Sequence, residues 1–146
     1  MRKFTVRPTD VMKRYRVIAV VGASKNPEKE AYTVPAYLQA HGYTIIPVNP
    51  TTDSISGLKA YPSLADIPLE LAKKVEVVDV FRPSEELPQV ARQVAEMKKR
   101  FGRPFVFWGQ LSLENEEAKE ILAEANVDYV MDRCMRVEHQ NMEESR

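Results

Sequence analysis

Cysteine occurs once in this chain, at Cys134, and histidine twice, at His41 and His139. One cysteine excludes an internal disulfide and any all-cysteine metal site, and it makes a reducing cytoplasm the default compartment. Net charge is missing too. The 21 acidic and 21 basic side chains cancel, and nothing forms the broad basic face that a nucleic-acid binder needs. No apolar run approaches the roughly 20 residues of a membrane span. The first nine residues carry three basic side chains but no apolar stretch, so they do not read as a signal peptide. Repeats and low-complexity segments are absent, and 146 residues suit one soluble domain spanning 1–146 with a single core.

What is present centres on residues 16–50. Residues 17–21 are a continuous apolar run rich in β-branched side chains, as expected for a strand covered on both faces. The run stops at Gly22 in a turn-forming segment. Val34, Tyr37, Leu38 and His41 then recur at helical spacing and share one face. Gly42 closes that helix, where a left-handed residue is cheap for glycine. Residues 43–48 form a second strand, completing a strand–loop–helix–strand unit whose two strands run parallel.

The remainder repeats the alternation. Residues 1–14 are an extension or a short leading helix, with a helix-start signal at Pro8, Thr9 and Asp10. Residues 51–62 read as a loop long enough to be functional or ordered by a ligand, and 63–71 as a short helix broken near Pro68. A strand over 75–81 leads into a long helix opened by Pro83, with Ser84 as its N-cap and Gly102 at its end. A strand over 104–108 follows, then a helix capped by Ser112 or Asn115 and closed by Asn126, and a last strand over 127–131. From Glu138 the tail is polar and is expected to fray, above all over 140–146. This order predicts an α/β fold: a doubly wound, mostly parallel sheet of five to six strands with helices on both faces.

In such sheets ligands sit beyond the carboxyl ends of the strands, near the switch in strand order. The residues there are Gly22, Ala23, Ser24 and Lys25; Asn49 and Pro50; Arg82, Pro83 and Ser84; Gly109 and Gln110; and Asp132, Arg133 and Cys134. No cluster of carboxylates or histidines stands among them, so neither a metal nor a paired acid–base mechanism is expected. The first loop matches neither G-x-G-x-x-G nor G-x-x-x-x-G-K-[ST]. It still leads backbone N–H groups toward a helix N-terminus, the physical basis of anion binding, and Lys25 and Lys29 add positive charge. The second strand ends in Val48-Asn49-Pro50, without the acidic residue that usually accepts from the ribose hydroxyls of NAD. A neutral end with lysines nearby favours a ligand whose ribose carries a phosphate, which leaves NADP or coenzyme A.

V-V-G-A-S-K-N-P-E-K-E-A-Y, H-G-Y-T-I-I-P-V-N-P, G-L-K-A-Y-P-S-L, V-D-V-F-R-P-S-E and M-D-R-C, in that order, resemble the small CoA-binding domain proteins. That family is similar to the nucleotide-binding domain of the succinyl-CoA synthetase alpha subunit, and the resemblance runs from about Tyr15 to His139. It implies a Rossmann-like domain that binds coenzyme A, or an acyl-CoA, through the ADP-phosphate portion. Carried over, Gly22, Ala23, Ser24 and Lys25 would contact the pyrophosphate, with Lys29 and Tyr32 beside them. Val48, Asn49 and Pro50 would flank the adenosine, and Val80, Phe81 and Arg82 would wall the adenine side. Trp108, Gly109 and Gln110 match the strand end that approaches the pantetheine arm, although the synthetase carries a different tripeptide there. The synthetase's second domain, which holds a phosphorylated histidine, has no counterpart in this chain, so the resemblance implies binding without the synthetase reaction.

Bland alternatives stand beside these roles. Lys25 and Lys29 could be solvated surface charges, Arg82 could pair with Glu85 or Glu86, and Trp108 could be core. Cys134 reads as an inert thiol, Asp79 as a partner for a neighbouring loop, and Met131 and Met135 as core filling. The rival functions are a small acyl-CoA-processing enzyme using Cys134 or Asp132, and an NAD(P)-binding regulatory module. A homodimer or a protein partner is left open.

Overall fold

The computed structural model describes residues 2–144. Helix α1 (Pro8–Arg14) starts on proline, whose missing N–H is not needed in a first turn. It is followed by β1 (Val17–Val21), α2 (Glu30–Ala40) and β2 (Thr44–Val48). After β2, residues read as loop contain a small hairpin, β3 (Ser54–Ile55) with β4 (Leu58–Lys59). Its turn residues Ser56 and Gly57 both have positive φ, 52° and 79°, as a two-residue hairpin turn of matching twist demands. A 3-10 turn (Leu64–Asp66) and α3 (Leu69–Ala72) flank Pro68, as expected from the break there. The chain continues through β5 (Val77–Val80), α4 (Leu87–Phe101), β6 (Val106–Gly109), α5 (Glu116–Glu124), β7 (Asp128–Val130) and α6 (Met135–Glu144).

Five of the strands form a parallel sheet in the order β2-β1-β5-β6-β7. Side chains alternate between its faces, as the pleat requires. Ala19, Val21, Val78, Val80 and Phe107 pack against α3, α4 and α5. Ile18, Val20, Val77, Val106 and Trp108 pack against α1, α2 and α6. Both faces are covered, which is why the strands read as near-continuous apolar runs. The outer strands are not bare either. Phe4 bridges antiparallel to Val130, and Tyr61 bridges parallel to Val48, so neither flank offers a long open row of N–H and C=O groups. No helix among the described residues is long and apolar enough to cross a membrane.

Three local expectations are corrected. Ser84 does not cap α4: the chain enters through a 3-10 turn (Ser84–Glu86), and the Ser84 hydroxyl accepts instead from the Glu114 amide at 3.2 Å. Ser112 does not cap α5 but turns the chain at φ 72°. Asn115 is the cap, its side chain accepting from the Ala118 amide at 2.9 Å. The tail expected to fray is helix α6, packed on α1 and α2 through Met135, His139 and Met142. Those three residues recur at four and three positions on one face. Residues 145–146 lie outside the described part.

Candidate functional site

The strand order reverses at β1, which has β2 on one side and β5 on the other. A crevice therefore opens beyond the carboxyl ends of β1 and β5. Gly22 sits at its centre. Its amide donates to the Val48 carbonyl at 3.0 Å, and its φ is +87°. A Cβ placed there would meet the Phe81 carbonyl oxygen at 2.7 Å and Arg82 Cδ at 2.9 Å. Glycine is thus required twice, for conformation and for the close approach of two chain segments.

The loop after Gly22 is held by its own short side chains. The Ser24 hydroxyl accepts from the Asn26 amide and the Asn26 carboxamide from the Glu28 amide, both at 3.0 Å. The amides of Ser24 and Lys29 donate to the carbonyls of Ala31 and Asn26. These self-made turns fix the loop without help from distant residues. The amides of Ala23, Lys25, Glu30 and Ala31 donate to no acceptor among the described residues. Such donors at the head of a helix, together with its dipole, favour an anion. Lys25 and Lys29 are exposed on this loop and take part in no ion pair among the described residues.

Asn49 braces the same corner. Its Nδ2 donates to the Ala23 carbonyl at 2.9 Å, while its Oδ1 accepts from the Thr51 amide and hydroxyl at 2.7 and 2.8 Å. The loop after β2 is thereby tied to the loop after β1. Beside them a groove of about 240 Å³ runs along the α4 face. Gly22, Val48 and Pro50 line it together with Pro62, Ser63 and Leu64 and with Arg82, Glu86, Gln89 and Gln93. A more apolar hollow continues past Leu64 and Gln93, away from the strand ends, between α3 and α4.

Of the residues singled out from sequence, Gly22, Val48, Pro50 and Arg82 line this groove, and Ala23, Ser24, Lys25, Lys29 and Asn49 form the adjoining loop corner. The others lie elsewhere. Val80 and Trp108 are fully buried, so neither offers surface to a ligand; the Trp108 indole donates to the Arg133 carbonyl at 2.8 Å. Phe81 is half-buried against the α1, α2 and α6 side, its amide bonded to the Val21 carbonyl. Tyr32 packs on α2 toward Ile45, Pro47 and Ile55, behind the loop rather than in the groove. Gly109 faces the Leu113 carbonyl, and Gln110 is buried over Asp79. Ser63, Glu86, Gln89 and Gln93 were missed. The spacing of 86, 89 and 93 along one helical face was the available signal.

Asp79 is the buried acid beneath the strand ends, paired in register with Val20 and Trp108. Its Oδ1 accepts from Gln110 Nε2 at 2.6 Å, and its Oδ2 has no partner among the described residues. Burial pushes its carboxyl up to about 7, against the opposing pull of the Gln110 hydrogen bond. Asp132 is the opposite case. One oxygen meets Lys3 Nζ at 2.6 Å and the other accepts from the Ser112 amide at 2.7 Å. The Lys3 ammonium holds this carboxyl below the usual carboxylate range. Cys134 is half-buried against the core. No group of three His, Cys, Asp or Glu side chains able to hold a metal occurs among the described residues.

The family described as CoA binding domain matches residues 16–140. The uncharacterized protein YneT of Bacillus subtilis is 41% identical over 130 residues, 89% of this chain and 90% of that protein. A solved structure of a hypothetical protein from Pyrococcus horikoshii OT3 matches with a TM-score of 0.83 at 36% identity, covering 94% of this chain and 93% of the other. Acetate–CoA ligase (ADP-forming) II of Archaeoglobus fulgidus is 36% identical over 81 residues, which is 54% of this chain but 11% of the ligase. A match that takes in every strand of the parallel sheet, together with the glycine corner where β1 meets β5, makes the chain a member of the CoA-binding domain family.

Proposed function

We propose that this domain binds coenzyme A by its ADP-phosphate portion at the Gly22 corner and binds it without turning it over. The observation that carries this reading is the set of amides at Ala23, Lys25, Glu30 and Ala31 that meet no acceptor among the described residues, beside Lys25 and Lys29, which make no ion pair among them. A diphosphate fits such a donor set, since backbone N–H groups and ammonium charges both stabilise it without a metal. The adenosine then takes the neighbouring groove, among Val48, Pro50, Ser63 and Leu64. Asn49 contributes by bracing the loop, since its side chain is committed to Ala23 and Thr51.

Turnover at the β7 edge of the sheet lacks support in the geometry. Both oxygens of Asp132 are engaged, by Lys3 and by the Ser112 amide. The two histidines lie together between α2 and α6, where His139 Nδ1 is 2.8 Å from the Tyr37 hydroxyl. An activated Cys134 needs a base or a cationic partner within reach. Purified protein incubated with acetyl-CoA is expected to leave it intact, and release of free CoA that disappears in Cys134→Ala would instead establish the enzyme reading.

Thermal unfolding with CoA, dephospho-CoA, NAD and NADP tests the ligand. A ligand present at about a hundred times its Kd adds roughly 2.7 kcal/mol when it binds only the folded form. For a domain near this size that raises Tm by about 5–10 °C. The expected order places CoA first, and stabilisation by NAD with none from CoA rejects the reading. The double variant Lys25→Ala/Lys29→Ala is expected to weaken CoA binding by roughly tenfold, as two exposed charge contacts of up to about 1 kcal/mol each imply. Its affinity should also fall less steeply with added salt. An unchanged affinity by titration calorimetry removes both lysines from the site.

A further inference from the structure

Arg82 is the only basic residue lining the groove and Glu86 the only acidic one, among the described residues. A carboxylate in the wall of a site for a polyanion calls for a physical reason, because at contact distance it repels the ligand. Arg82 supplies it. Its Nε and Nη2 donate to Glu86 at 3.1–3.2 Å, engaging both carboxylate oxygens. Its stem lies against the Gly22 turn, since a Cβ on Gly22 would stand 2.9 Å from Arg82 Cδ. The side chain thus runs from beside the Gly22 turn to a partner four residues on, at the end of the 3-10 turn.

The pair is easy to open. Its side chains are 46% and 40% exposed, and an ion pair in that environment contributes little to stability. A guanidinium also matches a phosphate as well as it matches a carboxylate, with two parallel N–H groups. Resting on the coenzyme A reading, we infer that Arg82 and Glu86 form an exchangeable clasp at the groove: a ligand phosphate takes Arg82 from Glu86, so Glu86 competes with the ligand for the guanidinium and holds down the affinity for phosphate-bearing ligands. The clasp therefore acts only on ligands that bring a phosphate, and bare adenosine leaves it closed. It also holds the empty groove neutral, because Glu86 and Arg82 cancel until the ligand arrives.

Titration calorimetry with CoA, dephospho-CoA and adenosine on the unmodified protein, Glu86→Gln, Arg82→Gln and the double variant tests this. With Glu86→Gln the competitor is gone, so CoA is expected to bind three- to tenfold more tightly while adenosine changes less than twofold. Arg82→Gln loses the cation and leaves Glu86 uncompensated, so CoA should weaken at least tenfold. Glu86→Gln should then change CoA affinity by a different factor in the Arg82→Gln background than it does alone, whereas independent residues give the same factor in both. Arg82→Lys, which keeps the charge but not the fork, should fall between Arg82→Gln and the unmodified protein. Unchanged or weaker CoA binding by Glu86→Gln, at an unaltered Tm, overturns the clasp while leaving the coenzyme reading in place. Failure of the unmodified protein to bind CoA overturns both.

Discussion

Gly22→Ala is expected to abolish CoA binding and to destabilise the fold by roughly 3 kcal/mol. Two costs add. An L-residue held at φ +87° loses about 1–2 kcal/mol relative to glycine. The new methyl would also stand 2.7 Å from the Phe81 carbonyl oxygen, a contact that forces the ends of β1 and β5 apart. The oxygen belongs to the backbone, so relief requires moving backbone. Phe81 is fixed by its amide bond to the Val21 carbonyl at 2.8 Å, and Gly22 by its own to Val48 at 3.0 Å. The displacement therefore reaches the Ala23 and Lys25 amides directly. Urea unfolding and calorimetry on the same preparation separate the two effects. A variant that folds with unchanged midpoint and binds CoA normally would show that the corner tolerates a side chain, contrary to the geometry.

The second large effect concerns pH. Asp79 is wholly buried, and its carboxyl titrates in the folded protein at about 7 instead of its ordinary 3.8. An acid with a raised folded value keeps a proton that the unfolded chain has already released. Between about pH 4 and 7, unfolding thus releases a proton, and stability falls as pH rises through that window. At 1.36 kcal/mol per pH unit the full decline is roughly 4 kcal/mol by pH 8. Asp79→Asn removes the ionisation while keeping the shape, and its amide can pair with Gln110 once that carboxamide turns over. The variant is expected to match the unmodified protein near pH 4 and to exceed it by several kcal/mol at pH 8. Urea midpoints measured from pH 4 to 8 check this, and parallel profiles for the two proteins would contradict it.

The sheet was legible because each of its strands is buried on both faces and so leaves an unbroken apolar run. The helix α4 was legible because Leu87, Val90, Ala91 and Val94 keep the helical period. The glycine turn between β1 and α2 was legible as well, through Gly22 at the end of β1 followed by a polar turn and a helix. What escaped lacked local pattern. The β3–β4 hairpin has two residues per strand, too few to show alternation. Helix α6 buries Met135, His139 and Met142 within an otherwise polar segment, so its stability comes from packing on α1 and α2. Trp108 and Val80 follow the strand period into the core, and nothing in their own neighbourhoods distinguishes wall from interior. The rest of the groove lining escaped for a different reason: Ser63 and Gln93 meet only when the 3-10 turn packs against α4. The identity of the ligand was never in the periodicity. The neutral end of β2 points to NADP or coenzyme A, and only the family resemblance favours coenzyme A.

A crystal structure grown with excess coenzyme A tests the central claim most directly. The expected density places the diphosphate against the Ala23 and Lys25 amides, the adenosine between Pro50 and Ser63, and Arg82 turned from Glu86 toward phosphate. Coenzyme density elsewhere on the molecule, with the Gly22 corner occupied only by solvent and the Arg82–Glu86 pair intact, would contradict it.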